Sequence, residues 1–314
     1  MPGPRIGYLL PTREQIMQGR HEARPLLELA ARAEGLGFDS IWIGDSLTAR
    51  PRHDPLTLLA AVAARVPRVQ IGTAVLLPAL RNPVLLAHQA ATIDQISEGR
   101  LILGVGIASD APSIRAEFEA AGVPFEKRVG RMIEGLRLCR ALWRGEPVDW
   151  DGRWVLRGAT VAPVPHRAGG PLLWIGGHSP GSLARAGKFF DGWFPLAPDP
   201  SGFARGLAEV RGAATAAGRA REAVAGAMYL TVALAGSAAE GETMLDGFLS
   251  RYYNRPGAEM RARQACYAGP EAGLAECLAA YAAAGVGHFC LRFAGGHEAH
   301  QDAVARVRKR LGWA

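Results

Sequence analysis

Cysteine is scarce in this sequence, and none of it is paired by spacing. Cys139, Cys266, Cys277 and Cys290 are four in 314 residues, with no CxxC among them. That excludes a thioredoxin-type redox pair and a zinc ribbon, and it argues against a disulfide framework. Free buried thiols in a reducing cytoplasm are the expectation. Long apolar runs are missing too: no segment reaches the roughly 20 residues a membrane-spanning helix needs. The run Ile6 to Leu10 is too short for a signal-peptide core and suits a first strand. Several catalytic strings are absent as well. There is no Walker A loop and no Ser–His–Asp elbow, and His297-Glu298-Ala299-His300 lacks the HExxH spacing, so it reads as surface. The glycines after Val105 approach GxGxxG, but Ser109 stands at the third position. No nucleic-acid reader motif occurs, and the arginines are dispersed, so a nucleic-acid partner is not expected.

Basic residues outnumber acidic ones, 36 against 29, for a net charge of +7. Frequent arginine in an Ala- and Gly-rich chain accounts for that excess; affinity for anionic ligands is the functional alternative. With 49% hydrophobic residues the chain can bury a large core.

The most informative stretch is Val69 to Gly106. Val69 to Leu77 reads as a buried strand between Pro67 and Pro78. Asn82-Pro83 supplies a helix start, with Asn as cap and Pro at the first position. Leu86, Ala90, Ile93 and Ile96 recur at helical spacing, Gly99 stops the helix, and Leu101 to Val105 is a second buried strand. Two apolar strands joined by a helix make a parallel βαβ unit. Similar units recur: strands at 5–10, 39–44, 171–177, 191–196, 224–234 and 288–293, with helices between. A small hairpin around Asp151-Gly152 breaks the rhythm. The expectation is a TIM (β/α)8 barrel, one domain over residues 1–314, with insertions near 146–165 and 235–269. Chemistry in such barrels sits at the C-terminal ends of the strands. Asp45 is delivered there by the second strand, and Leu47 to Pro55 forms a loop bearing Arg50, Arg52 and His53. Asp45 and His53 are the candidate acid or base residues. Near Trp174, Gly176-Gly177 lead through His178 and Ser179 into Pro180 and a helix, so backbone N–H groups and a helix N-terminus converge. Gly176, Gly177, His178 and Ser179 are the candidate phosphate turn.

The string GTAVLLPALRNPVLLAHQAATIDQISEGRLILGVG and the block WIGGHSPGSLARAGKFFDGW resemble the bacterial luciferase-like family of flavin-dependent oxidoreductases. The family contains FMN-dependent monooxygenases and enzymes that use the deazaflavin F420. The resemblance implies a cofactor ring resting on the strand around Thr73, Ala74 and Val75, with a non-prolyl cis peptide at Ala74-Val75. It also implies that Tyr8, Leu9 and Leu10 line the ring site, that Gly106 borders it, and that the 235–269 insertion covers the pocket. A flavin or F420 reductase and a second copy of the chain are the implied partners beside a small-molecule substrate. Two departures lean towards FMN and a monooxygenase. Many F420 users carry Asp-His where this chain has Asp45-Ser46, and some have a polar residue near Leu77. The arginine-bearing loop and the Gly-Gly-His-Ser-Pro turn lean towards F420 and hydride transfer. The expectation is a monooxygenase using reduced FMN and O2 on a small organic substrate; F420-dependent hydride transfer is the alternative, and a non-catalytic flavin-binding accessory protein is the alternative outside enzymology.

Overall fold

A computed structural model describes residues 3–196 and 199–313. The strands are β1 (Arg5–Leu9), β2 (Ser40–Ile43), β3 (Gln70–Leu76), β4 (Leu101–Val105), β5 (Val148–Asp151), β6 (Val155–Ala159), β7 (Leu172–Ile175), β8 (Gly192–Trp193), β9 (Ala225–Leu234), β10 (Cys266–Gly269) and β11 (His288–Phe293). Eight of them close a parallel barrel in the order β9-β11-β1-β2-β3-β4-β7-β8, with β8 pairing back to β9. The strands are short and the helices lie between them, as expected of a TIM barrel. The hairpin β5–β6 stands outside the ring. β10 pairs with the last four residues of β9, beyond the two that pair with β8. That strand lies at the end of the 235–269 insertion.

Four helices begin with the same device. Asp54-Pro55, Asn82-Pro83, Ser179-Pro180 and Asp199-Pro200 each place a side-chain oxygen on a free N–H of the first turn, with Pro at a position that has no N–H to satisfy. These caps set where the loop ends on the mouth side of the barrel, so they also set the shape of the mouth. A 3-10 turn, Phe125–Lys127, leads into the helix Arg128–Leu142. A further helix, Pro112–Ala120, precedes it; its buried face carries Ile114, Glu117 and Phe118, and the charge at Glu117 masks the apolar period.

The barrel is filled by large rings where glycine makes room. Trp42, Trp174 and Phe194 pack together inside it with Leu9, Ile102, Ala227 and Cys290. A methyl group on Gly72 would lie 2.5 Å from the Trp42 ring, and one on Gly192 would lie 2.4 Å from Trp174. Below them Trp42 Nε1 donates to Ser40 Oγ at 2.7 Å, and Ser40 Oγ meets His288 Nε2 at 2.7 Å. Burial pushes the His288 pKa down to about 3, so the ring sits there neutral.

Within His297–His300, Glu298 and Ala299 are exposed as expected, whereas His300 is buried and His297 half-buried. The closing helix, His297–Arg310, begins there. Tyr8 Oη meets His297 Nδ1 at 2.8 Å, and His300 Nε2 accepts from the Leu234 amide at 3.0 Å. The two imidazoles serve as hydrogen-bond partners that tie the closing helix to β1 and to the end of β9.

Candidate functional site

A cavity of about 470 Å³ opens at the C-terminal ends of the strands. One wall comes from β3, β4 and β7, which are neighbours in the ring. Along β3 and β4 the register advances three residues, Thr73 to Leu76, against two, Leu103 to Val105. The surplus residue bulges the strand at Ala74 and Val75, and the peptide between them is cis. Both residues line the cavity. Gly106 and Gly176 flank the bulge: a methyl group on Gly106 would lie 2.7 Å from Val75 Cγ2. The wall turns at Gly177, whose φ of 101° lies in the region that favours glycine. His178 and Ser179 continue it, and Ser179 caps the helix Pro180–Phe189 through the Ser182 amide. Arg185, on that helix, donates to Ser182 Oγ at 3.2 Å, which brings a guanidinium to the same turn.

A second part of the mouth is the loop after β2. Arg81 clasps Asp45 with contacts of 2.5 and 3.0 Å, and the Leu77 amide donates to the same carboxylate at 2.8 Å. Glu117 is fully buried under this loop. Its Oε1 accepts from Ser46 Oγ at 2.6 Å and from the amides of Leu47, Thr48 and Ala49 at 2.5, 2.9 and 3.2 Å. Four donors on one carboxylate oxygen hold the loop in a single shape. Gly44 leaves the space into which the Arg52 guanidinium folds, since a methyl group there would lie 2.3 Å from Arg52 Nη1.

The third part is β9, β11 and the helix Ala238–Tyr253, which ends at Asn254 in a left-handed conformation, φ 52°. Tyr229, Tyr252, Tyr253 and Arg292 reach the cavity from these elements. Arg292 is 1% exposed. It donates to Thr231 Oγ1, Gln264 Oε1 and Tyr253 Oη at 2.8, 2.7 and 3.1 Å. Arg50 stacks on Tyr253 with Cζ 5.0 Å from the ring centre, and Arg13 stacks on Tyr252 at 5.0 Å. Arg52 also lies over Tyr252, with Cζ 5.9 Å from the ring centre. Glu14 faces Arg292, Arg52 and Arg13, and burial raises its carboxyl pKa.

The expected site residues therefore separate. Ala74, Val75, Gly106, Gly176, Gly177, His178 and Ser179 meet on one wall, and Asp45 borders the cavity. Asp45 has its carboxylate engaged by Arg81 and is 1% exposed at the side chain, which suits positioning better than proton transfer. His53 does not line the cavity. Its Nε2 meets the His21 carbonyl at 2.9 Å instead. Tyr8 also lies outside the cavity: strand alternation sends it outward against Phe38, Phe293 and His297. Leu10 shares that outward cluster. Leu9 points inward but lies in the packed barrel interior, and Thr73 is fully buried, its Oγ1 donating to the Gly104 carbonyl at 2.8 Å.

Sequence reasoning missed Glu117, Tyr229 and Arg292. For Arg292 a signal was present: one arginine in the otherwise apolar strand HFCLRF, at inward parity with His288 and Cys290. Ile107 borders the cavity, and its carbonyl accepts from Arg128 Nε at 2.9 Å.

The luciferase-like monooxygenase family model matches residues 4–313. A phthiodiolone/phenolphthiodiolone dimycocerosates ketoreductase of Mycobacterium sp. (strain JLS) is 33% identical over 285 residues, covering 81% of this chain and 72% of that protein. An F420-dependent glucose-6-phosphate dehydrogenase of Mycobacterium avium (strain 104) is 36% identical over 177 residues, covering 54% of this chain and 52% of that protein, so the match spans about half of each. Among solved structures, an F420-dependent secondary alcohol dehydrogenase superimposes with a TM-score of 0.84 at 20% identity, covering 98% of this chain and 99% of that one. The long-chain alkane monooxygenase LadA gives 0.81 at 15% identity, covering 99% and 92%. At these identities the two structures establish the fold alone. With the family model spanning nearly all of the chain and a closed eight-stranded barrel, the chain belongs to the luciferase-like monooxygenase family.

Proposed function

We propose that this protein is an oxidoreductase that uses coenzyme F420 to move a hydride to or from a small carbonyl or alcohol compound. The observation that carries the proposal is the β3–β4–β7 wall. The Ala74–Val75 bulge, two flanking glycines and a Gly177 turn leave a cradle that side chains would fill. A planar ring fits over the bulge. A phosphate fits at the Gly177–Ser179 turn, where the helix N-terminus and Arg185 favour an anion. When bound, the deazaflavin would supply a two-electron hydride carrier; the protein's task is placement. Ala74, Val75, Leu77, Ile107, Ile114, Phe194 and Leu196 give the pocket a mostly apolar lining that limits water. Tyr229, Tyr253 and Arg292 are the hydrogen-bonding groups on the opposite side, available to orient a substrate oxygen. The choice of F420 over FMN is supported by the relatives named for F420 and for a ketone reduction.

Use of reduced FMN with oxygen is the second reading. It is favoured by the missing imidazole beside Asp45: Ser46 stands where many F420 users have histidine, and its hydroxyl is tied to Glu117. The proposal includes a reductase that regenerates the cofactor, a homodimer in the cytoplasm, and residues 1–314 working as one catalytic unit with the 146–165 and 235–269 insertions. The family resemblance supports these.

Parallel titration of the purified apoprotein with F420 and FMN tests the reading. Tight F420 binding, followed by reduction of a ketone or oxidation of an alcohol, is the expected result. FMN binding alone moves the assignment to oxygen chemistry. Binding of either cofactor with no reactivity towards any acceptor favours a non-catalytic accessory protein.

A further inference from the structure

We infer that the β9–β11 side of the mouth is an oxyanion subsite centred on Arg292, with Arg52 and Arg50 at its rim, and that the substrate carries a carboxylate or phosphate group placed there. The inference rests on the oxidoreductase reading for the word substrate; the subsite itself follows from the structure.

Arg292 is a buried cation on the wall of an open cavity. Its Nε reaches Thr231 Oγ1 at 3.2 Å; its Nη2 reaches Thr231 Oγ1 and Gln264 Oε1; its Nη1 reaches Tyr253 Oη. A guanidinium has five N–H groups, and these contacts use four. The second hydrogen of Nη1 has no protein acceptor among the described residues. The acceptors present are all neutral. Around them lie four rings, with Cζ 4.7 Å from the centre of Tyr252, 5.2 Å from Phe248, 5.4 Å from Tyr229 and 5.5 Å from Tyr253. Ring faces favour the cation and fix its plane. They do not supply a counter-charge. Among the described residues neither Arg292 nor Arg52, Arg50 or Arg13 forms an ion pair with a carboxylate. Glu14 is the carboxylate that faces this group at longer range, and burial disfavours its ionised form. Arg292, Arg52 and Arg50 on the cavity wall, with Arg13 behind Tyr252, come from three separate segments, while the carboxylates that line the cavity, Asp45 and Glu117, are engaged by Arg81 and by four loop donors, so this side of the mouth keeps a net positive field. A planar fork with an unused donor at its edge matches a carboxylate or phosphate oxygen.

Ring order separates this subsite from the cofactor cradle. The cradle occupies β3, β4 and β7, which adjoin each other; Arg292 and Tyr229 come from β11 and β9, and Arg50 and Arg52 from the loop after β2. The oxyanion bound there has two sources to distinguish: the substrate, or an acidic tail of the cofactor.

The probe is inorganic phosphate, titrated calorimetrically at constant ionic strength into apoprotein and into protein saturated with F420. Wild type, Arg292→Met, Arg292→Lys and Arg52→Gln are compared. The expected result is phosphate binding that survives F420 saturation, weakens about tenfold or more in Arg292→Met, and is partly restored in Arg292→Lys, while F420 affinity stays within about twofold. Phosphate affinity equal in wild type and Arg292→Met overturns the subsite and leaves Arg292 as a tie between strands. Phosphate displaced by F420, together with weaker F420 binding in Arg292→Met, assigns the site to the cofactor tail and overturns the substrate claim. If Arg292→Met does not fold, Arg52→Gln carries the test: unchanged phosphate affinity counts against the subsite, and a loss of about threefold or more supports it. Failure of the oxidoreductase reading looks different. Neither cofactor would bind, yet the Arg292-dependent phosphate site would persist.

Discussion

Arg81 and Asp45 lock two mouth loops together: Nη1 and Nη2 meet the two carboxylate oxygens at 2.5 and 3.0 Å, and Arg81 also reaches Asp54 at 3.3 Å. The pair is buried on the Asp45 side and carries the Leu77 amide with it. Removing one partner leaves a cation without its counter-charge. Asp45→Asn should therefore destabilise the fold by about 2–4 kcal/mol, read as a lowered unfolding midpoint. Any activity lost should appear in KM more than in kcat. A fall of about a hundredfold in kcat with the fold intact would instead make Asp45 a proton-transfer group.

Gly177 is held at φ 101°, and a methyl group there would lie 2.8 Å from Ser182 Oγ. Gly177→Ala should weaken cofactor binding about tenfold through backbone strain and displacement of the turn. Gly177→Asp adds an anion at the proposed phosphate position and should weaken it about a hundredfold or more. Equal affinity for wild type and Gly177→Asp in a fluorescence titration would remove the phosphate from this turn.

Inside the barrel, Gly72 makes way for Trp42. A methyl group would meet the indole at 2.5 Å and the Ile102 carbonyl at 2.8 Å. Gly72→Ala should cost about 1–3 kcal/mol by overpacking. Trp42→Phe in the same chain should recover part of that loss, and a double-mutant cycle would report the coupling. Strict additivity would show that the backbone contact, rather than the ring, sets the cost.

Acid should destabilise the protein through His288. The folded state keeps that ring neutral down to about pH 3, whereas an unfolded histidine titrates near pH 6.5. Between those values the unfolded chain binds the extra proton, so stability is present above about pH 6.5 and is lost as pH falls towards the folded pKa. His297, pushed down to about 4 by burial, acts in the same direction. Unfolding midpoints at pH 7 and pH 5 should fall by less in His288→Gln than in wild type. An identical fall in both would place the acid sensitivity elsewhere.

Most of the framework was legible in the chain. The β3–β4 unit, the Asn82 and Ser179 caps and the hairpin at Asp151-Gly152 follow from local chemistry: apolar runs, a cap oxygen three residues or fewer from its amide, proline where no N–H is needed. The cis Ala74–Val75 peptide was legible only through resemblance, since no local property of Ala or Val requests it. β10 was not legible, because CYAG has no strand signature of its own and pairs only where β9 outruns β8.

By itself the sequence determined the barrel, its family and the glycine-rich wall, because strand and helix periods, caps and turn residues act over a few positions. Only the tertiary structure decided which polar groups meet. It kept Tyr8 and His53 out of the cavity lining and set Asp45 against Arg81, 36 residues on. It also brought Arg292 to Tyr253, 39 residues earlier, and to Thr231, 61 residues earlier. Those contacts depend on ring closure and on which way each strand residue points. A one-residue change in parity turns a pocket residue into a core residue, and no local pattern records that choice.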